Sequence, residues 1–334
     1  MASGFRSSFE RLHRQATLAA GELAAWAEPQ QRAGFLDRLT REVSEAGGEI
    51  AAMLLAPDSW RMPAAELDRR IHHLLTGKNL SVHGTDAFGF SPEHVRPVIP
   101  VIEFLYRVYF RTEAHNVERV PEGRCLLIGN HSGQLPFDGA VIGASLLLDR
   151  EPPRMIRSMV EKFATALPWF GELCIRCGQV TGLPDNCRRL LEHEECVMVF
   201  PEGARGIAKP FRDRYRMTPF GHGFMRLALQ TGAPIVPVAV VGAEEQTINL
   251  FDFKPLAKIL GAPSVPFTPL MPLLGPLALL PMPVKYRLYF GEPMQFDGDP
   301  NDDEAVLAPK VRAVRAEIQR LLDKGLAERK GIFI

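Results

Sequence analysis

The sequence predicts an α/β fold: a mixed, mostly parallel sheet flanked by helices, behind an N-terminal helical extension. Three observations carry this. Short apolar runs rich in Val and Ile, at 125–129, 196–200, 235–242 and 286–290, are bounded by Gly, Pro and charge and read as buried strands. Helical patterns over 139–148, 186–193 and 222–230 separate them, and alternating strand and helix implies a sheet covered on both faces. Over residues 1–95, by contrast, the apolar residues recur at helical spacing.

The extension reads as three helical stretches. Phe9, Leu12, Ala16, Leu18 and Leu23 mark the first, and Leu36, Leu39, Val43 and Ile50 the second. Leu67, Ile71, Leu74 and Leu75 mark the third, which Thr76-Gly77 stops. Residues 1–95 carry no recognisable chemistry and are expected to pack on the main domain, 96–334, or on a partner. The first thirty residues include Arg6, Glu10, Arg11, Arg14, Glu22 and Glu28, with no apolar run of the secretory type, which points to the cytoplasm. Val101, Phe104, Leu105, Val108 and Tyr109 open the main domain as an apolar helix face. A closing amphipathic helix over 309–329 carries Val311, Val314, Ile318, Leu321 and Leu322, with Pro309 expected in its first turn, where no N–H is needed.

Composition narrows the function classes. The 334 residues hold 39 basic and 39 acidic side chains, a formal charge of zero, with 46% apolar residues. Disorder is excluded, as is a strongly basic protein that holds nucleic acid by phosphate neutralisation alone. Five cysteines, an odd number, argue for a reducing compartment rather than a disulfide scaffold. Cys174 and Cys177 form a CxxC that Cys187 and Cys196 would complete as a zinc set. The second pair is not closely spaced, 174–177 reads as strand or loop, and partly buried thiols are the simpler reading, so no metal is assigned. Between Lys258 and Lys285 there is no charge, yet prolines recur. They bar a membrane-spanning helix, since each removes an N–H and clashes with the preceding turn. The stretch reads as an apolar loop packed on the sheet, or as one that touches a membrane surface through Phe267, Leu270, Leu273, Leu274, Leu277 and Leu280.

Two blocks at strand ends carry chemistry, and strand ends are where α/β sheets place their sites. In 129–138, His131 and Asp138 share one turn: the carboxylate can hold one ring nitrogen and leave the other as a general base. A capping role for both is the alternative. In 199–206, two glycines allow close backbone approach and Arg205 can fork onto a phosphate or carboxylate. Lys209, Arg212, Arg214 and Arg216 follow against one Asp213 and suit an anionic ligand, or form a solvated face. A third block, 232–242, reads as a core strand whose two prolines favour an edge or strand-start position, and takes no chemistry.

In order and spacing these blocks resemble the glycerolipid acyltransferases of the lysophosphatidic acid acyltransferase type. That signature is Asn-His, four residues, then Asp; later Phe-Pro-Glu-Gly-x-Arg; later Pro-Ile-Val-Pro-Val. Here it falls on Asn130-His131, on Phe200 to Arg205 and on Pro234 to Val238, and the resemblance covers roughly 98–330. Six residues rather than four separate His131 from Asp138, a form similar to the branch resembling monoacylglycerol and diacylglycerol acyltransferases.

The resemblance implies a glycerolipid-acyltransferase-like fold and His131 as general base oriented by Asp138. Asn130, Glu202, Gly203 and Arg205 would hold the acceptor, with Arg176 standing in for the arginine of a blurred further motif. It implies acyl transfer from a thioester to a hydroxyl of lysophosphatidic acid or another lysophospholipid in phospholipid biosynthesis, or of a neutral mono- or diacylglycerol. No cofactor is needed, and the donor would be carried by coenzyme A or acyl carrier protein. The enzyme would be cytoplasmic and peripheral at the membrane, without nucleic-acid partners. A non-catalytic lipid-binding protein and a thioesterase-like hydrolase are the competing readings.

Overall fold

The computed structural model describes residues 29–76, 78, 80–131, 137–252, 257, 265–269 and 271–334. The helical pattern of 9–23, the turn residues 132–136 and Leu270 lie outside them.

The extension supplies α1 (Pro29–Leu55) and α2 (Ala64–Leu75), and α3 (Ile99–Phe104) runs on into a π-helical turn at Leu105–Tyr109. Then come β1 (Glu113–His115), β2 (Cys125–Gly129), α4 (Phe137–Leu148), β3 (Ile156–Val160), α5 (Lys162–Ala166), α6 (Phe170–Arg176) and β4 (Val180–Thr181). After α7 (Pro184–Glu192), β5 (Cys196–Val199), α8 (Ala204–Ile207), α9 (Gly223–Thr231) and β6 (Ile235–Val241), a small hairpin pairs β7 (Phe251–Asp252) with β8 (Pro266–Phe267). The chain ends with α10 (Met271–Leu274), β9 (Arg287–Phe290) and α11 (Glu304–Glu328).

Seven strands form one sheet in the order β1-β9-β6-β2-β5-β3-β4. Every pair is parallel except β6 with β9, so the expected mixed, mostly parallel sheet is present. Side chains alternate across it. Cys125 and Leu127 of β2 enter a core with Val141, Ile142 and Leu146 of α4, while Leu126 and Ile128 enter the opposite one with Leu190 and Leu191 of α7 and Val314 and Ile318 of α11. Burial on both faces is why these strands are near-continuous apolar runs.

The extension is tied to the sheet domain by specific groups. Arg70 donates to the carbonyls of Leu147 and Arg150, both at 3.0 Å, satisfying acceptors at the end of α4. Glu42 accepts from the Ile332 and Phe333 amides at 2.8 and 3.3 Å.

Three local expectations need correction. Pro237 lies inside β6, a central strand, not at an edge. Its carbonyl accepts from Gly291 N at 2.8 Å, so its nitrogen faces the β9 side, just beyond the last paired residues, Val238 and Phe290, where no ladder N–H is required. Pro309 lies inside α11, which starts at Glu304 because buried Leu307 extends the apolar face by a turn. Cys174 is on helix α6 and Cys177 follows it, rather than strand or loop. The thiols are not gathered: Cys187 is on α7, and Cys196 pairs with Cys125 across β5 and β2. No three His, Cys, Asp or Glu side chains among the described residues are arranged to hold a metal.

Candidate active site

Parallel pairing brings the C-terminal ends of β2, β5 and β3 to one end of the sheet, and β6 ends there too. Asn130, fully buried at the end of β2, donates its amide to Val240 O at 3.1 Å and accepts from Val240 N at 2.8 Å. Both ends of the side chain are thus spent on β6. Its contacts are with the β6 backbone beside the turn that presents His131, not with an open site.

His131 Nδ1 lies 2.8 Å from Asp138 Oδ2. Asp138 is the second residue of α4, fully buried, and its Oδ1 accepts from Gly139 N at 2.8 Å. It is therefore inside the helix rather than its N-cap. Phe200, just past β5, stacks on the imidazole with centroids 4.2 Å apart and planes 14° apart. One ring nitrogen and one ring face are committed. The carboxylate favours the tautomer with the proton on Nδ1, and in that tautomer Nε2 can accept a proton.

Glu202 anchors the second motif to the first. It is 1% exposed, and its Oε1 accepts from the His131 amide at 3.0 Å. Its Oε2 accepts from Thr218 N at 2.6 Å and Thr218 Oγ1 at 3.0 Å, with Lys209 Nζ 3.5 Å away. Gly203 has φ 55° and ψ −150°, a conformation open essentially to glycine alone. Gly206 lets the turn pass against His131: a Cβ there would stand 2.9 Å from His131 Cβ and O and from Glu202 Cβ. Arg205 beside it is exposed and donates to Pro219 O at 3.2 Å.

A further carboxylate belongs to this network. Lys209, buried between Glu202 and Glu244, donates to Glu244 Oε1 at 3.1 Å. Burial pushes the Glu244 carboxyl up to about 7, with Lys209 opposing and the Glu202 charge reinforcing the shift. An unfolded Glu244 loses its proton near 4.5. Between those values the folded chain binds more protons, so this group's contribution makes stability fall as pH rises from about 4.5 to 7 and level off above. Glu244→Gln is expected to remove that decline, worth on the order of 1–3 kcal/mol. Thermal melts across this pH window check it.

The structure brings His131, Asp138, Asn130, Glu202, Gly203 and Arg205 together. Arg176, at the end of α6, instead pairs with Glu172 at 3.6 Å, and its carbonyl accepts from Ser91 N. Of the expected membrane contacts, Leu273, Leu277 and Leu280 are exposed, whereas Phe267 stacks on Phe251 at 4.8 Å and is half-buried. Leu274 is on α10. No described helix is long and apolar enough to cross a membrane. The sequence reading missed Phe200, Thr218 and Glu244 as site residues and took Lys209 for part of a surface patch. The available signal for Glu244 was a carboxylate directly after a buried strand that ends at the site's edge.

Residues 111–241 match the profile of the family described as Acyltransferase. An uncharacterized protein of Mycobacterium tuberculosis is 35% identical over 318 residues, covering 92% of this chain and 88% of the relative. One from Mycobacterium leprae is 36% identical over 308 residues, covering 88% and 83%. A chicken protein named DGAT1/2-independent enzyme synthesizing storage lipids is 26% identical over 220 residues, covering 65% and 61%. Among solved structures, the 1-acyl-sn-glycerophosphate acyltransferase PlsC of Thermotoga maritima is similar at a TM-score of 0.46 and 16% identity, covering 71% of this chain and 82% of that one. The profile match spans both strand-end blocks and the strand between their anchoring contacts, so the dyad and its Glu202 anchor lie within the matched segment, and the chain belongs to the acyltransferase family.

Proposed function

We propose that the chain transfers a fatty acyl group from an acyl thioester to a hydroxyl of a glycerolipid acceptor, with His131 as general base. The observation that carries this is the 2.8 Å contact between His131 and buried Asp138, with Phe200 stacked on the ring. The acceptor hydroxyl gives its proton to Nε2 as its oxygen attacks the thioester carbonyl carbon. Asp138 stabilises the resulting imidazolium. The tetrahedral centre collapses, the carbon–sulfur bond breaks, and the imidazolium returns the proton to the leaving thiolate. The thioester is already activated, so no covalent enzyme intermediate is required. Coenzyme A or acyl carrier protein would carry the donor.

Exposed Arg205, beside the dyad's anchor, suits the phosphate of lysophosphatidic acid or another lysophospholipid, since a guanidinium binds phosphate in a bidentate fork. The chicken relative's name favours a second reading, a neutral mono- or diacylglycerol acceptor. Exposed Leu273, Leu277 and Leu280 would let the enzyme meet lipid at a membrane surface.

A panel of acceptors with labelled acyl-CoA, read by product mass, tests this. Release of thiol that ignores every acceptor would establish a hydrolase, and no turnover at all would leave a lipid-binding protein. Arg205→Ala is expected to cut transfer to phosphate-bearing acceptors about 10-fold or more while sparing neutral ones, the loss of a charge-assisted hydrogen-bond pair. Equal losses on both would make Arg205 structural.

A further inference from the structure

We infer that the tip of the α5–α6 hairpin is a docking surface for a phospholipid bilayer, separate from the uncharged 258–285 stretch. The hairpin leaves the sheet directly after β3, at the same end of the sheet as the dyad. Glu161, between β3 and α5, has Oε1 3.7 Å from where a Cβ on Gly203 would stand, and Thr181 of β4 donates to Thr165 of α5 at 3.3 Å. The hairpin is thus fixed beside the active-site turn.

Its tip reads Leu167-Pro168-Trp169-Phe170, where a solvent-facing turn would hold polar residues and glycine. Trp169 is 87% exposed, with Leu167, Phe170 and Leu173 at 37, 43 and 45%. The tip is held in shape by its own backbone: Gly171 N donates to Leu167 O and Leu173 N to Trp169 O, both at 2.9 Å. Trp169 even takes a φ of 65°, uncommon for a bulky residue. A rigid cluster of large apolar side chains displayed to solvent marks an interaction surface.

Charge identifies the occupant. The sheet order puts the loop after β5 between this hairpin and the segment that follows β6. That loop carries exposed Arg205, Arg212 and Arg216, with Asp213 3.7 and 3.8 Å from the last two. Beyond it, Leu273, Leu277 and Leu280 are exposed again. In strand order, exposed apolar groups on the segments after β3 and after β6 therefore flank the arginines that follow β5. Apolar side chains that enter the acyl region, with cations at the level of the phosphates, complement a phospholipid surface. A tryptophan at such a tip suits the interface, where its ring is buried and its N–H stays wet. The lipid occupant rests on the proposed glycerolipid activity, since both substrates would then reach His131 from the bilayer.

The test uses the full chain and vesicles of phosphatidylcholine containing phosphatidylglycerol. Adding vesicles is expected to shift tryptophan emission to the blue, and Trp169→Phe, which preserves an aromatic tip, is expected to abolish the shift. Leu167→Asp with Trp169→Asp should lower vesicle partitioning about tenfold or more, as expected for losing buried apolar surface. Thiol release with a water-soluble short-chain donor and acceptor should stay at the wild-type level. Unchanged partitioning, or an emission maximum that vesicles do not move, overturns the proposal. So does a wild-type dimer in sedimentation that the aspartates split while vesicle binding persists, because a second copy would then cover the tip. A protein that transfers no acyl group but still binds vesicles through Trp169 sinks the proposed activity and leaves this surface standing.

Discussion

His131→Ala is expected to lower kcat for acyl transfer by about 10²- to 10⁴-fold, the range that a positioned general base contributes. The residual rate would come from substrate positioning and from whatever dipoles stabilise the oxyanion. Asp138→Asn should fall in the same range for a different reason. Its side chain is fully buried at 2.8 Å from Nδ1. An amide there can present N–H instead of oxygen, which leaves the imidazole in the wrong tautomer and its charged form without a counter-ion. Because the two act as one unit, His131→Ala with Asp138→Asn should be little worse than either alone. Losses that multiply would mean that Asp138 works independently of the histidine. Single-turnover assays with acyl-CoA and a saturating acceptor measure this without confusion from product release. A His131→Ala protein that transfers at the wild-type rate would remove the general-base mechanism while leaving family membership untouched.

The histidine block was legible because its chemistry is local. Gly129 ends a buried strand, and His131 and Asp138 are close enough in the chain that one turn can join them, even with 132–136 between. Four of the five inner strands, β2, β5, β6 and β9, were legible for a related reason: two-sided burial produces unbroken apolar runs. The fifth, β3, was missed because Arg157 and Ser158 interrupt its run. What escaped depends on the third dimension. Lys209 reads as one more cation in a basic run, and only the fold shows it enclosed between Glu202 and Glu244. Phe200 reads as the last residue of a strand, and its stacking on His131 follows from β5 lying beside β2. Short β1 and β4 left no signal, because edge strands of three and two residues have no periodicity to detect. Pro237 misled because the rule against proline in central strands concerns the hydrogen-bonding side, and the side it occupies depends on where β9 stops pairing.

Glu202→Gln should separate a residue that binds acceptor from one that positions the base. The resemblance assigns Glu202 to acceptor binding, but its carboxylate is 1% exposed and turned entirely onto protein donors. The His131 amide, the Thr218 amide and the Thr218 hydroxyl all donate to it, and a lysine sits 3.5 Å away. Its hydrogen-bond partners are all donors, so both of its oxygens serve as acceptors. Glutamine keeps one acceptor oxygen and turns an N–H pair toward donors at the other, so either His131 N or Thr218 N loses its partner. The expected stability cost is about 1–3 kcal/mol, that of leaving a buried donor unsatisfied. The larger effect falls on catalysis, because His131 is held at its amide by this one carboxylate oxygen. A shift of order 1 Å in a catalytic group costs about 10²-fold. It should appear in kcat, with KM for the acceptor little changed, since no substrate contact is lost. A Glu202→Gln protein with wild-type kcat and a raised acceptor KM would return this residue to the substrate. Thr218→Val gives an internal comparison. It removes only the hydroxyl donor to Oε2 and leaves the His131 amide bond intact, so its kcat should stay within about tenfold of wild type.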